Sequence, residues 1–155
     1  MAVITSEPNQ IVAFLDMLAW SEGTDKPGQP TKNHGYDVLV GGGQFEGFAD
    51  HPRKLVKLRG LGLKSTAAGR YQILARYFDA YRKTLALPDF GPLSQDRIAV
   101  QMIREQRAYA PLLAGDVETA IARCANIWAS LPGAGYKQHE HKLSDLLDVY
   151  ERKLA

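Results

Sequence analysis

The chain has 155 residues, 45% of them hydrophobic and 23% charged, which suits one soluble domain large enough to bury a real core. A formal net charge of +2 is too small to argue for a nucleic-acid partner. One cysteine, Cys124, excludes an intramolecular disulfide, and no stretch approaches the ~18 apolar residues of a membrane span.

The first helix is predicted from Ser6 or Glu7 to about Glu22, with Pro8 in its first turn. Ile11, Phe14, Leu15, Leu18 and Ala19 form its apolar stripe, and Gly23-Thr24-Asp25 ends it. Residues 23–35 read as a loop rich in Gly, Pro, Thr and Asn. Tyr36 to Val40 and Gln44 to Asp50 flank Gly41-Gly42-Gly43, a pattern that predicts a small hairpin. Helix is expected again from Ala67 to Leu85, with Ile73, Leu74, Tyr77, Phe78 and Tyr81 on one side. Ser94 reads as the N-cap of a helix to about Tyr109, interrupted at Pro111, and Asp116 as the cap of a helix to about Ser130. A loop over 131–136 precedes a last helix over roughly 138–153. No repeat, low-complexity tract or long linker divides the chain. The expected fold is α+β, mostly helical with one small β-hairpin, in a single domain over residues 1–155.

The candidate chemistry begins with Glu22. Eleven residues at ~100° each bring it within about 20° of Ile11 on the helical wheel. A carboxyl is thus expected on the apolar face, where helix meets loop. Desolvation there favours the protonated form, as a general acid requires, and an apparent pKa nearer ~6 than ~4.3 is expected. Asp25 and Asp37 are the possible second carboxylates. Asp37 opens the expected hairpin and is placed as a substrate contact, whereas Asp25 suits the turn after the helix. Cys124 falls in step with Val117, Ala120, Ile121, Trp128 and Leu131, which makes it a packed side chain rather than a thiol nucleophile. His139 and His141, two residues apart, point ~200° away from each other on a helix, so neither a metal nor another cofactor is expected. Tyr71 beside Gln72, and Tyr136 beside Gln138, are the combinations that stack on sugar rings and bond hydroxyls. Seven basic residues and no acid lie between Arg53 and Phe78 (Arg53, Lys54, Lys57, Arg59, Lys64, Arg70, Arg76), a stretch that could face an anionic polymer.

Several blocks together resemble the lambda phage endolysin family, in the same order over nearly the whole chain. They are Ala13 to Asp25, Asn33 to Val38, Asp50 to Val56, Gly69-Arg70-Tyr71-Gln72 and Asn126 to Tyr136. Gly69-x-x-Gln72 also resembles an element of goose-type lysozymes and lytic transglycosylases. One departure is Ala67-Ala68, where the resemblance predicts a glycine. The resemblance implies a lysozyme-like fold with a cleft between its hairpin side and its helical side. It implies cleavage of peptidoglycan between N-acetylmuramic acid and N-acetylglucosamine by a lytic transglycosylase, with Glu22 as sole acid and base. It also implies two loops closing over the glycan, mapping to roughly 53–63 and 131–142, of which the first overlaps the basic stretch. The substrate-binding residues expected are Asp37, Tyr71, Gln72, Ser130 and Tyr136. The partner expected is the peptidoglycan glycan strand, with no nucleic acid and no direct membrane insertion, and the protein is expected to be a monomer. Lacking a signal-like segment, it should fold in the host cytoplasm and reach the periplasmic wall through a separate holin. The alternatives are a hydrolysing muramidase using Glu22 with Asp37, and a non-catalytic binder of anionic polymers through residues 53–76.

Overall fold

The computed structural model describes residues 1–58, 60, 62–134 and 140–155. Among these the elements run α1 (Asn9–Ser21), β1 (Val56–Lys57), β2 (Lys64–Ser65), α2 (Ala75–Thr84), α3 (Pro92–Glu105), α4 (Tyr109–Leu113), α5 (Val117–Cys124) and α6 (Leu143–Leu154). The mostly helical α+β architecture with one small hairpin is therefore as the sequence predicts.

Helix α1 is central. It packs chiefly on α6, α4 and α3. Its buried residues include the predicted stripe and also Ala13, Asp16, Met17 and Ser21, so it is covered nearly all round. A stripe on one face was too narrow a reading. Glu22 owes its burial to standing at the end of a core helix more than to its angle on the wheel.

The hairpin lies elsewhere than predicted. Residues 36–50 keep only an isolated antiparallel bridge, Val38 to Gln44, while β1 and β2 pair antiparallel with Val56 opposite Ser65 and Lys57 opposite Lys64. The glycine run around residue 42 makes a tight turn, closed by the Leu39 amide on the Gly43 carbonyl at 2.7 Å. The Asp37 carbonyl accepts from the Phe45 amide at 2.9 Å, but the backbone of the next residues goes to other partners: Leu39 bridges Ala68, and the Gly69 amide bonds the Val38 carbonyl at 2.8 Å.

Helix α2 starts eight residues later than expected. Residues 67–74 are spent on a tight turn in which Ala68 and Ile73 exchange backbone hydrogen bonds of 2.8 and 3.1 Å. The Thr66 hydroxyl then accepts from the Ala75 amide at 3.0 Å, satisfying a donor at the helix start. Ala67-Ala68 thus lies in extended backbone, not at a helix start. Gly91, not Ser94, caps α3, and the Ser94 hydroxyl donates to Asp89 instead. Pro111 sits in the first turn of α4, where its missing N–H costs nothing. Asp116 caps α5 as predicted, accepting from the Thr119 amide at 3.2 Å, but that helix ends at Cys124.

A polar network crosses the core. Arg70 is fully buried, with Nη2 2.6 Å from Asp16, Nη1 2.6 Å from Asp25, and Nη1 also donating to the His34 carbonyl. Its guanidinium lies over the rings of Tyr36 and Tyr71. Both tyrosine hydroxyls donate to Asp96, which also accepts the Val3 and Ile4 amides at 2.8 and 2.9 Å. The first residues of the chain are thereby pinned to α3.

Candidate active site

The end of α1 is built to hold a side chain in place. Glu22 is its C-cap, with its amide on the Leu18 carbonyl at 2.8 Å. Gly23 follows at φ +77, and the amides of Gly23 and Thr24 bond the carbonyls of Trp20 and Ala19, each at 3.0 Å. These paired bonds form a Schellman closure, which needs a residue without a Cβ penalty at the left-handed position. The Thr24 hydroxyl donates to the Arg70 carbonyl at 2.6 Å, tying the closure to the Gly69–Gln72 turn.

Burial pushes the Glu22 carboxyl up to about 7, opposed by the Ser130 hydroxyl, which donates to Oε2 at 2.5 Å. The Ser21 hydroxyl stands 2.7 Å from that of Ser130. Since Ser130 gives its one proton to the carboxylate, Ser21 is the donor in that pair. The value lies above the ~6 expected from the sequence by analogy with known acids. The His141 ring packs on Trp20, and its Nε2 lies 2.9 Å from the Ser21 carbonyl, which fixes the proton on Nε2.

Glu22 opens onto a cleft of about 600 Å³. Gln72, Ser130, Trp128, Tyr77 and Tyr81 are among its walls, with Leu58 and Ser65 on the hairpin side. Gln72 is held at φ +55, an uncommon conformation for a side-chain-bearing residue. Its amide nitrogen donates to the Gly69 and Val38 carbonyls at 3.0 and 3.2 Å, so its oxygen has no protein donor among the described residues. That oxygen is an acceptor suited to a sugar N–H or hydroxyl. The turn beneath it requires Gly69, where a Cβ would come within 2.3 Å of the Gln95 Oε1.

Other candidate residues hold different positions. Tyr71 has no exposed surface, and its hydroxyl donates to Asp96 at 2.6 Å. Its ring packs in the core although the residue borders the cleft, and its carbonyl accepts from the Trp128 indole at 3.0 Å. Asp37 is buried outside the cleft lining, where it accepts from the Thr31 hydroxyl and, at 3.0 Å, the Lys32 amide. It organises the 31–35 loop. Asp25 is likewise committed: burial would raise its pKa, but the Arg70 hydrogen bond and charge hold it below the ordinary value. The basic stretch is no continuous face, since Arg70 is internal and Arg53 is engaged by Asp50 and Asp79 at 3.0 and 2.6 Å. Cys124 is buried, and that burial raises its thiol to about 12, as befits a packed side chain. Tyr136 and His139 lie outside the described residues, as do Arg59 and the central part of the second loop.

Sequence reading missed the supporting cast. Asp16, Arg70, Gln95 and Asp96 are buried polar residues, and only Asp16, between Leu15 and Met17, stands inside an apolar segment that signals it. It also missed Glu105, a second carboxylate lining the cleft, exposed and bonded by the Tyr81 hydroxyl and by Gln101 at 3.1 Å. Nothing in its local sequence separates it from an ordinary helix end.

A raised carboxyl at the wall of a cleft in this helical frame defines a lysozyme-like enzyme. A family model described as Endolysin matches residues 12–155. The endolysin of Escherichia phage lambda is 62% identical over 143 residues, which cover 92% of this chain and 90% of that protein. The endolysin of Escherichia phage P2 is 54% identical over 160 residues, covering 97% and 95%. Among solved structures, bacteriophage lambda lysozyme complexed with a chitohexasaccharide is similar at a TM-score of 0.93 and 57% identity, over 97% of each chain. The chain belongs to the endolysin family and is a peptidoglycan-degrading enzyme.

Proposed function

We propose that the enzyme is a lytic transglycosylase that cleaves between N-acetylmuramic acid and N-acetylglucosamine. The observation that carries this reading is the raised carboxyl in the cleft wall, Glu22, bonded to the Ser130 hydroxyl, while both candidate partners, Asp25 and Asp37, are occupied by structural bonds. Protonated Glu22 gives its proton to the glycosidic oxygen as the C1–O4 bond breaks. Glu22, now a carboxylate, takes the proton from the muramic C6 hydroxyl as the C1–O6 bond forms. The acid is regenerated and the product ends in a 1,6-anhydro ring. The substrate supplies the nucleophile, so neither water nor a second carboxylate takes part. The Ser130 hydrogen bond steadies the carboxylate between the two proton transfers.

Mass spectrometry of digested peptidoglycan tests the reading, because an anhydro end is lighter than a reducing end by one water. Anhydro ends are the expected product. Reducing ends alone would mean hydrolysis, and Glu105, the other carboxylate in the cleft, would then be the residue to replace.

Access to the wall belongs to the same proposal: a separate membrane-permeabilising protein releases the enzyme from the host cytoplasm. No helix among the described residues is long and apolar enough to cross a membrane. Cells making the enzyme alone should stay intact until their membrane is permeabilised; prompt lysis without permeabilisation would contradict this route.

A further inference from the structure

A peptidoglycan strand alternates two sugars, so an enzyme with one productive geometry must choose its register. The two sugars differ at O3, where muramic acid alone carries a lactyl group. That group ends in a carboxylate, or continues into a stem peptide that carries carboxylates of its own. The transglycosylase reading needs muramic acid on the C1 side of Glu22. A fixed cation beside Glu22 would supply that choice.

The described residues of the basic stretch do not provide it. Arg53 is held by Asp50 and Asp79, Arg70 is internal, and Lys54, Lys57, Lys64 and Arg76 are absent from the cleft lining. Among the described residues the cleft has one Lys or Arg in its wall, Lys26. Lys26 follows the Schellman closure. Its Cε would meet a Cβ on Gly23 at 3.8 Å, so its stem lies over the residue next to the acid. Its Nζ is 5.7 Å from the centroid of the Trp20 ring, which holds the chain against α1 while leaving the ammonium in solvent. It forms no ion pair with a described carboxylate, although ion pairs occupy Arg53, Arg70, Arg82 and Arg104 elsewhere.

We propose, resting on the transglycosylase reading, that Lys26 is a specificity-determining residue: its ammonium pairs with the carboxylate borne on the O3 substituent of muramic acid and so sets the register of the strand against Glu22. A lysine suits this task because a compact charge on a flexible stem can follow a flexible substituent.

The experiment compares Lys26→Gln, Lys26→Arg and wild type on strands with intact stem peptides and on strands stripped by an amidase, which bear the free lactyl carboxylate. Binding of neutral chitohexaose is the third arm. Lys26→Gln is expected to raise KM about three- to fivefold at low salt, with the loss vanishing near ~1 M salt, the size and screening of a solvated ion pair. Lys26→Arg should restore KM, and chitohexaose affinity should be unchanged. A loss on intact strands alone assigns the stem carboxylates, and a loss on both assigns the lactyl carboxylate. An unchanged KM on both strands overturns the proposal. So does an equal loss of chitohexaose affinity, which would make Lys26 a sugar contact rather than a reader of charge. Product analysis of the wild type keeps the two readings separate. Anhydro ends with an unchanged KM remove Lys26 alone, whereas reducing ends remove the transglycosylase reading.

Discussion

Glu22 has a cost and a use that the same substitution separates. Its carboxyl is raised from 4.5 to about 7, so the folded protein holds that proton more tightly than the unfolded chain does. Between those values the unfolded state binds fewer protons, and stability falls as pH rises. The full effect above pH 7 is roughly 3 kcal/mol at most, by the ~1.4 kcal/mol per unit relation. Glu22→Gln is therefore expected to lose at least ~10²-fold in rate and to gain stability at pH 8 but not at pH 4. Urea midpoints at the two pH values check the second part; equal midpoint shifts would mean the carboxyl is solvated. The rate itself should fall as pH rises through about 7, since the proton-bearing form begins the reaction. Ser130→Ala removes the group that favours the carboxylate, so this falling limb should move to higher pH. A limb that moves down or stays put would show that the serine does not act on the acid.

The elements around the acid serve as its mounting. Where a segment's fate rests on its own residues, the sequence was a good guide: Asp116 caps α5, and the Gly23 stop places Glu22 at the end of α1. Asp116→Ala should cost ~1 kcal/mol in thermal or urea unfolding with no change in KM. Where distant segments compete for the backbone, the sequence misled. The β-prone run at 36–40 gives the Val38 carbonyl and the Val40 amide to residues 67–69, so no regular hairpin forms there. The same competition delays α2, because Ala68 pairs with Ile73 before a helix can begin. Gly69→Ala should destabilise by roughly 2 kcal/mol or more, given a left-handed backbone and a Cβ forced onto Gln95. It should also lower activity beyond its effect on folding, since Gln72 and Thr24 hang from that turn.

Seen across the fold, the buried Asp16–Arg70–Asp25 cluster joins α1, the loop after the acid, and the Gly69–Gln72 turn. Asp96 joins α3 to the chain start through the Val3 and Ile4 amides. Replacing Arg70 by Met would leave buried carboxylates without their cation, a loss on the order of 3–5 kcal/mol. A loss below about 1 kcal/mol in urea unfolding would show the cluster to be dispensable. The cleft is equally a product of the assembly: its walls come from the hairpin, α2, α3 and the segment after α5.

Helical periodicity and caps were enough to establish the mostly helical class and the end of α1, where Glu22 stands, because these depend on near neighbours. The blocks shared with known endolysins carried the family. Which polar groups stand beside the acid was a different matter. Ser130 lies 108 residues from Glu22 and reaches its carboxyl, whereas Asp37, far nearer in the chain, turns away to its own loop. Arg70 sits in a run of exposed-looking charge and is wholly internal. Burial and pairing depend on what the rest of the chain brings to a side chain, and only the folded chain decides that.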